Sequence, residues 1–561
     1  MSGAADTLFV DGAVWTAGTG PTAVGPTDAV AVVDGRIVAF GHDARALRGA
    51  GTEIVDLAGG SLLPAFRDGH LHPLAGGAES LDCDLVDAVD VDDVLARVAA
   101  FATAEPGLPW VLGWGYPPEI LPGGIGHATV LDAIVADRPV ALWSSDHHMV
   151  WCNSRALQVA GITAGTADPA RGTILRDDGG QPVGTLLEEA ELLLQAHVPP
   201  RGLAKEARGF EVGLARMADA GLVFGQDAWT QPERLPAYLR VAGAGGLSAD
   251  IDLAFKVEPD RWREQVSEFV AARHLAGTAQ AQRAADGVPG GRLTATTVKF
   301  FVDGVIEGGT GHLTAPYEAS FGGAHACGDD HGIANWDPGE MIEAAAAMDE
   351  AGFQLHCHAI GDGAVRSTLD TVEAVAVRNG PRDRRAVVAH THLVHPDDLP
   401  RFAQLGVIAN LEPLWAQPNA IMTELTEPRL GPERSRWQYP IGALLRSGAH
   451  VSFGSDWPVS SHEPLRGIAV AVTRQTPEGR PEGGWLPEQR ISLDEALQAY
   501  TSGTAYQAHD EHDTGRIALG RHADLLVTDE DLTRVAPLEL AEVGVVGTWR
   551  RGRRVHGHAT A

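Results

Sequence analysis

The chain has 561 residues, 44% of them apolar, with 74 acidic side chains against 43 basic ones and a formal charge of −31. That acidic surplus argues against nucleic acid as a partner and against docking on anionic membranes, because both need basic surface. It fits a soluble, self-repelling cytoplasmic protein acting on a small molecule, and leaves a homo-oligomer open. Only three basic residues are lysines: Lys205, Lys256 and Lys299. Four scattered cysteines (Cys83, Cys152, Cys327, Cys357) form no CxxC pair, which argues against a disulfide scaffold and an all-cysteine zinc site. The stretch Met1–Asp6 lacks a basic region, and no apolar run reaches the length of a membrane span, so neither a signal peptide nor a span is expected.

The first sixty residues read as short strands at Thr7–Val10, Ala13–Trp15, Ala29–Val33 and Arg36–Phe40. Asp34-Gly35 between the last two is a tight-hairpin dipeptide. Partner strands are expected at Asp524–Val527 and Gly547–Val555, so residues 1–60 and 515–561 are read as one small β-sandwich domain. The run Trp549–Arg554 is read as a solvated terminal strand. Eight apolar runs follow the first sixty residues: Ser61–Phe66, Leu222–Gln226, Asp252–Lys256, Thr296–Phe301, Phe353–Cys357, Arg385–Ala389, Val407–Asn410 and His450–Gly454. Helical patterns such as Glu340–Glu350, Ala364–Val377 and Ile441–Ser447 follow most of them. The alternation predicts an α/β fold, a TIM-type (β/α)8 barrel over residues 61–80 and 201–514. Residues 81–200 break the rhythm and read as an α/β insertion after the first barrel strand, a lid or side domain on the catalytic face. Gly277–Gly291 reads as a flexible loop.

Polar residues gather where such a barrel carries its chemistry, at the C-terminal strand ends. Strand one runs into His70-Leu71-His72, and in extended chain residues two apart share a face. Strand four places Lys299 inside a β-branched run, where burial lowers an amine's pKa and leaves it able to take up CO2 as an anionic carbamate. Arginine cannot do this. Strands five and six end in His356-Cys357-His358 and His390-Thr391-His392, and strand eight ends in Asp456. Imidazoles with carboxylate-type oxygens suit a divalent metal such as zinc. Trp151, Trp415 and Trp457 are candidate pocket aromatics. No GxSxG elbow or GK[ST] phosphate loop is present.

In LLPAFRDGHLHP (62–73), DHHMVWCNSRAL (146–157), VKFFVDGVIEGGTGHLTAPY (298–317), HAIGDGAV (358–365), FGSDWPV (453–459) and ADLLVTDEDL (523–532), the chain resembles the amidohydrolase superfamily of metal-dependent hydrolases. Within it, the chain looks closest to the branch holding N-substituted formamide deformylases. The resemblance implies His70 and His72 on one metal, carbamylated Lys299 bridging two Zn2+ ions, and His358 and His392 on the second. It makes Asp456 ligand and general base, and sets His148 against substrate. A one-metal site remains open. Three departures stand out: Thr391 where a glutamate commonly precedes the strand-six histidine, Arg67 where a small or apolar residue is usual, and His147 before His148 in place of glycine. Arg67 and His147 are read as altering substrate choice. His356 and His390 are read as packing or supporting groups one layer deeper.

The implied activity is metal-dependent hydrolysis of a C–N bond in an amide, with N-substituted formamides as candidates. A lactone, carbamate, cyclic amide or deamination substrate on the same site is the alternative, and a non-catalytic scaffold a further one.

Overall fold

A computed structural model describes residues 3–16, 27–169, 171–318 and 330–557. Cys327 lies outside the described residues. Eight parallel strands form the central sheet in sequence order: Phe66–Leu71, Leu222–Thr230, Asp250–Lys256, Leu293–Phe301, Gln354–Ala359, Val387–His390, Ile408–Leu411 and His450–Phe453. We number these barrel strands one to eight. Strands one and eight are the sheet's ends, and they meet at the mouth, where Asp456 N–H donates to the His70 carbonyl at 2.7 Å. Gly454 makes the approach possible, since a Cβ there would fall 2.8 Å from both the backbone nitrogen and the Cβ of His70. The apolar side chains of the strands and of helices such as Leu203–Asp219, Pro338–Glu350 and Asp362–Asn379 form one continuous core.

The run Ser61–Phe66 divides in a way its composition conceals. Ser61–Pro64 belongs to a five-stranded sheet, where it pairs antiparallel with Leu525–Thr528, and the barrel strand begins only at Phe66. That sheet continues through Val545–Arg550 and Arg553–His556. A four-stranded sheet of Arg36–Phe40, Ala29–Val33, Thr7–Val10 and Glu53–Asp56 shares an apolar cluster with it, with Phe9 edge-on to Trp549 at 5.0 Å. Asp34 and Gly35 both take positive φ, as the hairpin dipeptide requires.

Gly277–Gly291 is mostly not a loop. The helix Trp262–Ala285 runs through its first half. Its alanines and glutamines favour helix and outweigh the cost of about 1 kcal/mol that Gly277 brings. Residues 81–200 build a six-stranded sheet that includes Val111–Tyr116, Val140–Ser144, Met149–Cys152 and Pro182–Glu188. Among the described residues no helix is long and apolar enough to cross a membrane.

Arg67 does not reach the cavity. It lies near the start of strand one, fully buried, bonded to Asp510 at 3.0 Å and stacked 4.2 Å over Phe224. Arg292 joins Asp510 at 2.6 Å and Asp250 at 3.1 Å, and Arg550 reaches Asp250 at 3.0 Å. The presumed solvated strand therefore contributes a buried guanidinium that ties the terminal sheet to the barrel base. Burial opposes ionisation of Asp250, yet Arg550, Arg292 and Arg551 outweigh it and hold its carboxyl at about 2. An unfolded aspartate titrates near ~3.9, so this stabilisation is present above about pH 4 and is lost as the pH falls through about 2. Urea unfolding at a series of pH values should show that acid-side loss in the native chain. Asp250→Asn should flatten it and lower stability at pH 7 by about 3–5 kcal/mol, the cost of leaving buried cations without their anion.

Candidate metal centre

The C-terminal ends of the barrel strands open into a cavity of about 920 Å³. His70, His72, Lys299, His358, His390, His392 and Asp456 line its floor, and the insertion supplies a wall through Trp114, Trp143, Asp146, His147, His148 and Glu188. Of the candidate aromatics only Trp415 lines it. Trp151 is packed in the insertion's own core and Trp457 in the barrel's.

At the floor's centre, Asp456 Oδ1 lies 2.9 Å from His72 Nε2 and 3.4 Å from His70 Nε2. Asp456 has φ 53, a left-handed turn straight after strand eight that points its carboxylate back over strand one. Nε2 of His70 is also 3.3 Å from Lys299 Nζ, while its Nδ1 is hydrogen-bonded to His356 Nε2 at 2.9 Å. His356 thus orients His70 from below, the supporting role expected of it.

His390 does not lie a layer deeper. Its ring sits 4.6 Å from that of His70 and 4.5 Å from that of His358, and its Nδ1 is 3.1 Å from Glu412 Oε2. His392 stays out of the cluster: it donates to Gln438 Oε1 at 2.8 Å and stacks on Tyr439 at 4.2 Å. The cause is local. His390 and Thr391 take φ of 71° and 44°, so the chain leaves extended geometry at the end of strand six and the two-residue alternation fails there. The residue before the clustered histidine is accordingly Ala389.

Burial dominates the electrostatics. It pushes His70, His356 and His358 well below the usual imidazole range, takes His390 to about 3, and lowers Lys299 to about 8. His72 is the exception: Asp227 and Asp456 outweigh burial and raise it to about 9. Asp456 is held well below the carboxylate range by His70 and His72 against its own burial, whereas burial and Asp456's charge push Glu412 well above it. On the wall, His148 Nδ1 contacts both oxygens of Glu188, which overcomes burial and raises the imidazole to about 10.

Two triads have ligand atoms close enough to share one ion: His70, His72 and Asp456, and His70, His390 and Glu412. His72 Nδ1, Glu412 Oε1 and Asp68 Oδ2 are buried with no hydrogen-bond partner among the described residues. Such orphans are costly in an ordinary core. Of these residues, His72 and Glu412 belong to the two triads and fit a donor set built round a cation. Glu412, Asp227 and Asp68 escaped sequence reasoning. The available signal is a carboxylate at the end of an apolar run: Asp227 directly follows Leu222–Gln226, and Glu412 lies two residues beyond Val407–Asn410.

Residues 53–556 match the amidohydrolase family. The chain belongs to that family. It is therefore a hydrolase by family. The protein LONG AFTER FAR-RED 3 of Arabidopsis thaliana is 30% identical over 537 residues, 93% of this chain and 87% of that protein. N-substituted formamide deformylase of Arthrobacter pascens is 27% identical over 545 residues, covering 93% and 94%. An uncharacterized metal-dependent hydrolase of Pyrococcus horikoshii, 21% identical, superposes with a TM-score of 0.69 over 98% of this chain and 100% of that one, and so shares the fold.

The geometry distinguishes the two strand-six histidines. After zinc loading and dialysis, His390→Ala should retain markedly less zinc than the native chain by elemental analysis. His392→Ala should retain native levels. The reverse order would return His392 to the centre.

Proposed function

We propose that this chain is a metal-dependent amidohydrolase that cleaves the C–N bond of a small amide, with N-substituted formamides the first class to try. The observation that carries this reading is the convergence of His70, His72, Lys299, His358, His390 and Asp456 on one cavity floor at the ends of strands one, four, five, six and eight. The formamide class is supported by the similarity to the deformylase over nearly the whole chain.

His70, His72 and Asp456 would hold one divalent ion, and His358 and His390 a second, with Lys299 between them as its carbamate. Zinc is the leading candidate for both. When bound, such a metal supplies a water acidified toward a pKa of ~7 and a Lewis acid for the carbonyl. Lys299 is suited to carbamylation because its buried amine, lowered to about 8, is partly neutral at physiological pH. The neutral nitrogen attacks the carbon of CO2, an N–C bond forms, and a proton leaves to solvent. His356 keeps His70 oriented through Nδ1, the ring nitrogen opposite the one that faces Asp456, an arrangement common around ligand histidines, and Glu412 holds His390 through Nδ1.

Asp456 is the base in this reading. It takes a proton from the attacking water as the C–O bond forms, and passes it to nitrogen as the C–N bond breaks. The products are an amine and a carboxylic acid, formate where the substrate is a formamide. His70 and His72 hold Asp456 in its ionised form, the protonation state a proton acceptor must start from.

A panel of N-substituted formamides, other amides, lactones and amino-heterocycles, assayed with chelator and after zinc is restored, tests the reaction class. Turnover of amides that disappears with chelator and returns with zinc is expected. Turnover of lactones or amino-heterocycles alone would overturn the C–N amide reading, and a fully zinc-loaded protein inert to all of them would favour a scaffold. Asp456→Asn should lower kcat by at least about 10²-fold. Lys299→Arg should lose at least one equivalent of metal, and unchanged metal content would reject the carbamate bridge.

A further inference from the structure

We propose that Glu188 is a positioning residue for this site: from the insertion it orients the His148 imidazole over the cavity and braces the loop that follows barrel strand four. The proposal rests on the hydrolase reading above, in which His148 faces the substrate.

Glu188 ends the strand Pro182–Glu188 with φ 52 and ψ −132, a backbone conformation unfavourable for a residue with a Cβ. Its carboxylate occupies the resulting position fully. Oε2 and Oε1 lie 2.9 and 3.1 Å from His148 Nδ1, and Oε1 also accepts the Thr310 hydroxyl at 2.5 Å. The Thr310 oxygen in turn accepts Val305 N–H at 2.9 Å. One side chain therefore links the end of the strand Pro182–Glu188 and the turn carrying His148 to the loop after barrel strand four.

The loop is shaped to receive it. A Cβ on Gly304 would fall 2.5 Å from Glu188 Oε1 and 2.2 Å from Thr310 Oγ1, so a side chain there would push the carboxylate and the hydroxyl out of these positions. The carbonyl of that same Gly304 is 3.1 Å from His358 Nε2. The brace thus reaches the metal-facing floor through one residue. The rings of His148 and His358 lie 5.9 Å apart. With the Nδ1 edge of His148 held by Glu188, its Nε2 edge has no partner among the described residues, and His148 lines the cavity. That edge is the one placed to hydrogen-bond a polar atom of the substrate opposite the floor. A surface ion pair needs neither the strained backbone nor the glycine, and both are present here.

The test uses the full-length, zinc-loaded protein and the variants Glu188→Ala, Glu188→Gln, His148→Ala and the Ala–Ala double. On an amide turned over by the native chain, Glu188→Ala should lower kcat about 10²-fold, the loss a misplaced contact group produces. KM and zinc content should stay within about twofold. Glu188→Gln, which keeps an acceptor oxygen, should recover most of the loss. In the His148→Ala background, removing Glu188 should cost nothing further. NMR of the 15N-histidine-labelled protein gives a readout independent of turnover. The His148 signals, assigned by their disappearance in His148→Ala, should shift in Glu188→Ala and return toward native in Glu188→Gln. Losses that multiply in the double variant, unmoved His148 signals, or activity that falls only in step with zinc would overturn the proposal. If no amide is turned over, the reaction reading fails while the NMR arm still decides Glu188. Unmoved signals in a protein that hydrolyses amides reject Glu188 alone.

Discussion

The bond from Asp456 N–H to the His70 carbonyl does two jobs at once. It joins the first and last strands of the barrel sheet, and it fixes the aspartate above the strand-one histidines. Everything at the seam serves that contact. Asp68 lies beneath it and accepts N–H groups from both His70 and Ser455, at 3.0 and 3.2 Å. Gly454 removes the Cβ that would hold strand eight away. The left-handed turn at Asp456 spends backbone strain to aim a carboxylate that an extended chain would point elsewhere. Because chain closure and site assembly share these atoms, damage at the seam reaches fold and chemistry together.

The floor gathers nitrogen atoms that water would protonate and strips most of them of their protons by burial. His70, His356, His358 and His390 become neutral donors, and Asp456 remains the anion among them because His70 and His72 face it. That environment also acts on Lys299, one of three lysines in a chain that otherwise uses arginine. A guanidinium stays protonated under any burial a protein offers, whereas the Lys299 amine is brought down to about 8.

The barrel was legible because period and order are sequence properties: apolar runs followed by helical patterns recur in the right order. The placement of His70, His72, Lys299, His358 and Asp456 at the strand ends round one cavity was legible for the same reason. The lapses are physical. The two-residue alternation that finds His70 and His72 holds only while the chain is extended, and positive φ at His390 and Thr391 ends it one residue too soon for His392. Ser61–Phe66 carries no mark of the point where one sheet hands the chain to another. Arg67 looks like a change in the pocket because strand position says nothing about depth, yet its partner Asp510 lies at the barrel base, far along the sequence. Glu188 gives no local signal at all, since its meaning comes from Thr310, Gly304 and His148 on other segments.

Floor and wall divide the labour. The floor consists of rigid strand ends whose side chains hold one another by short contacts, so its geometry tolerates little change. The wall comes from the insertion, where stacked Trp114 and Trp143 at 4.2 Å face the cavity beside His147, His148 and Glu188. Lys256 closes the far side over Trp229 and Phe301, paired with Glu258 at 3.0 Å. A substrate must satisfy both surfaces, but only the floor is dictated by the barrel. Proteins sharing this barrel can therefore share a reaction type while differing in what they bind, and the residues to compare when seeking the substrate are those of the insertion.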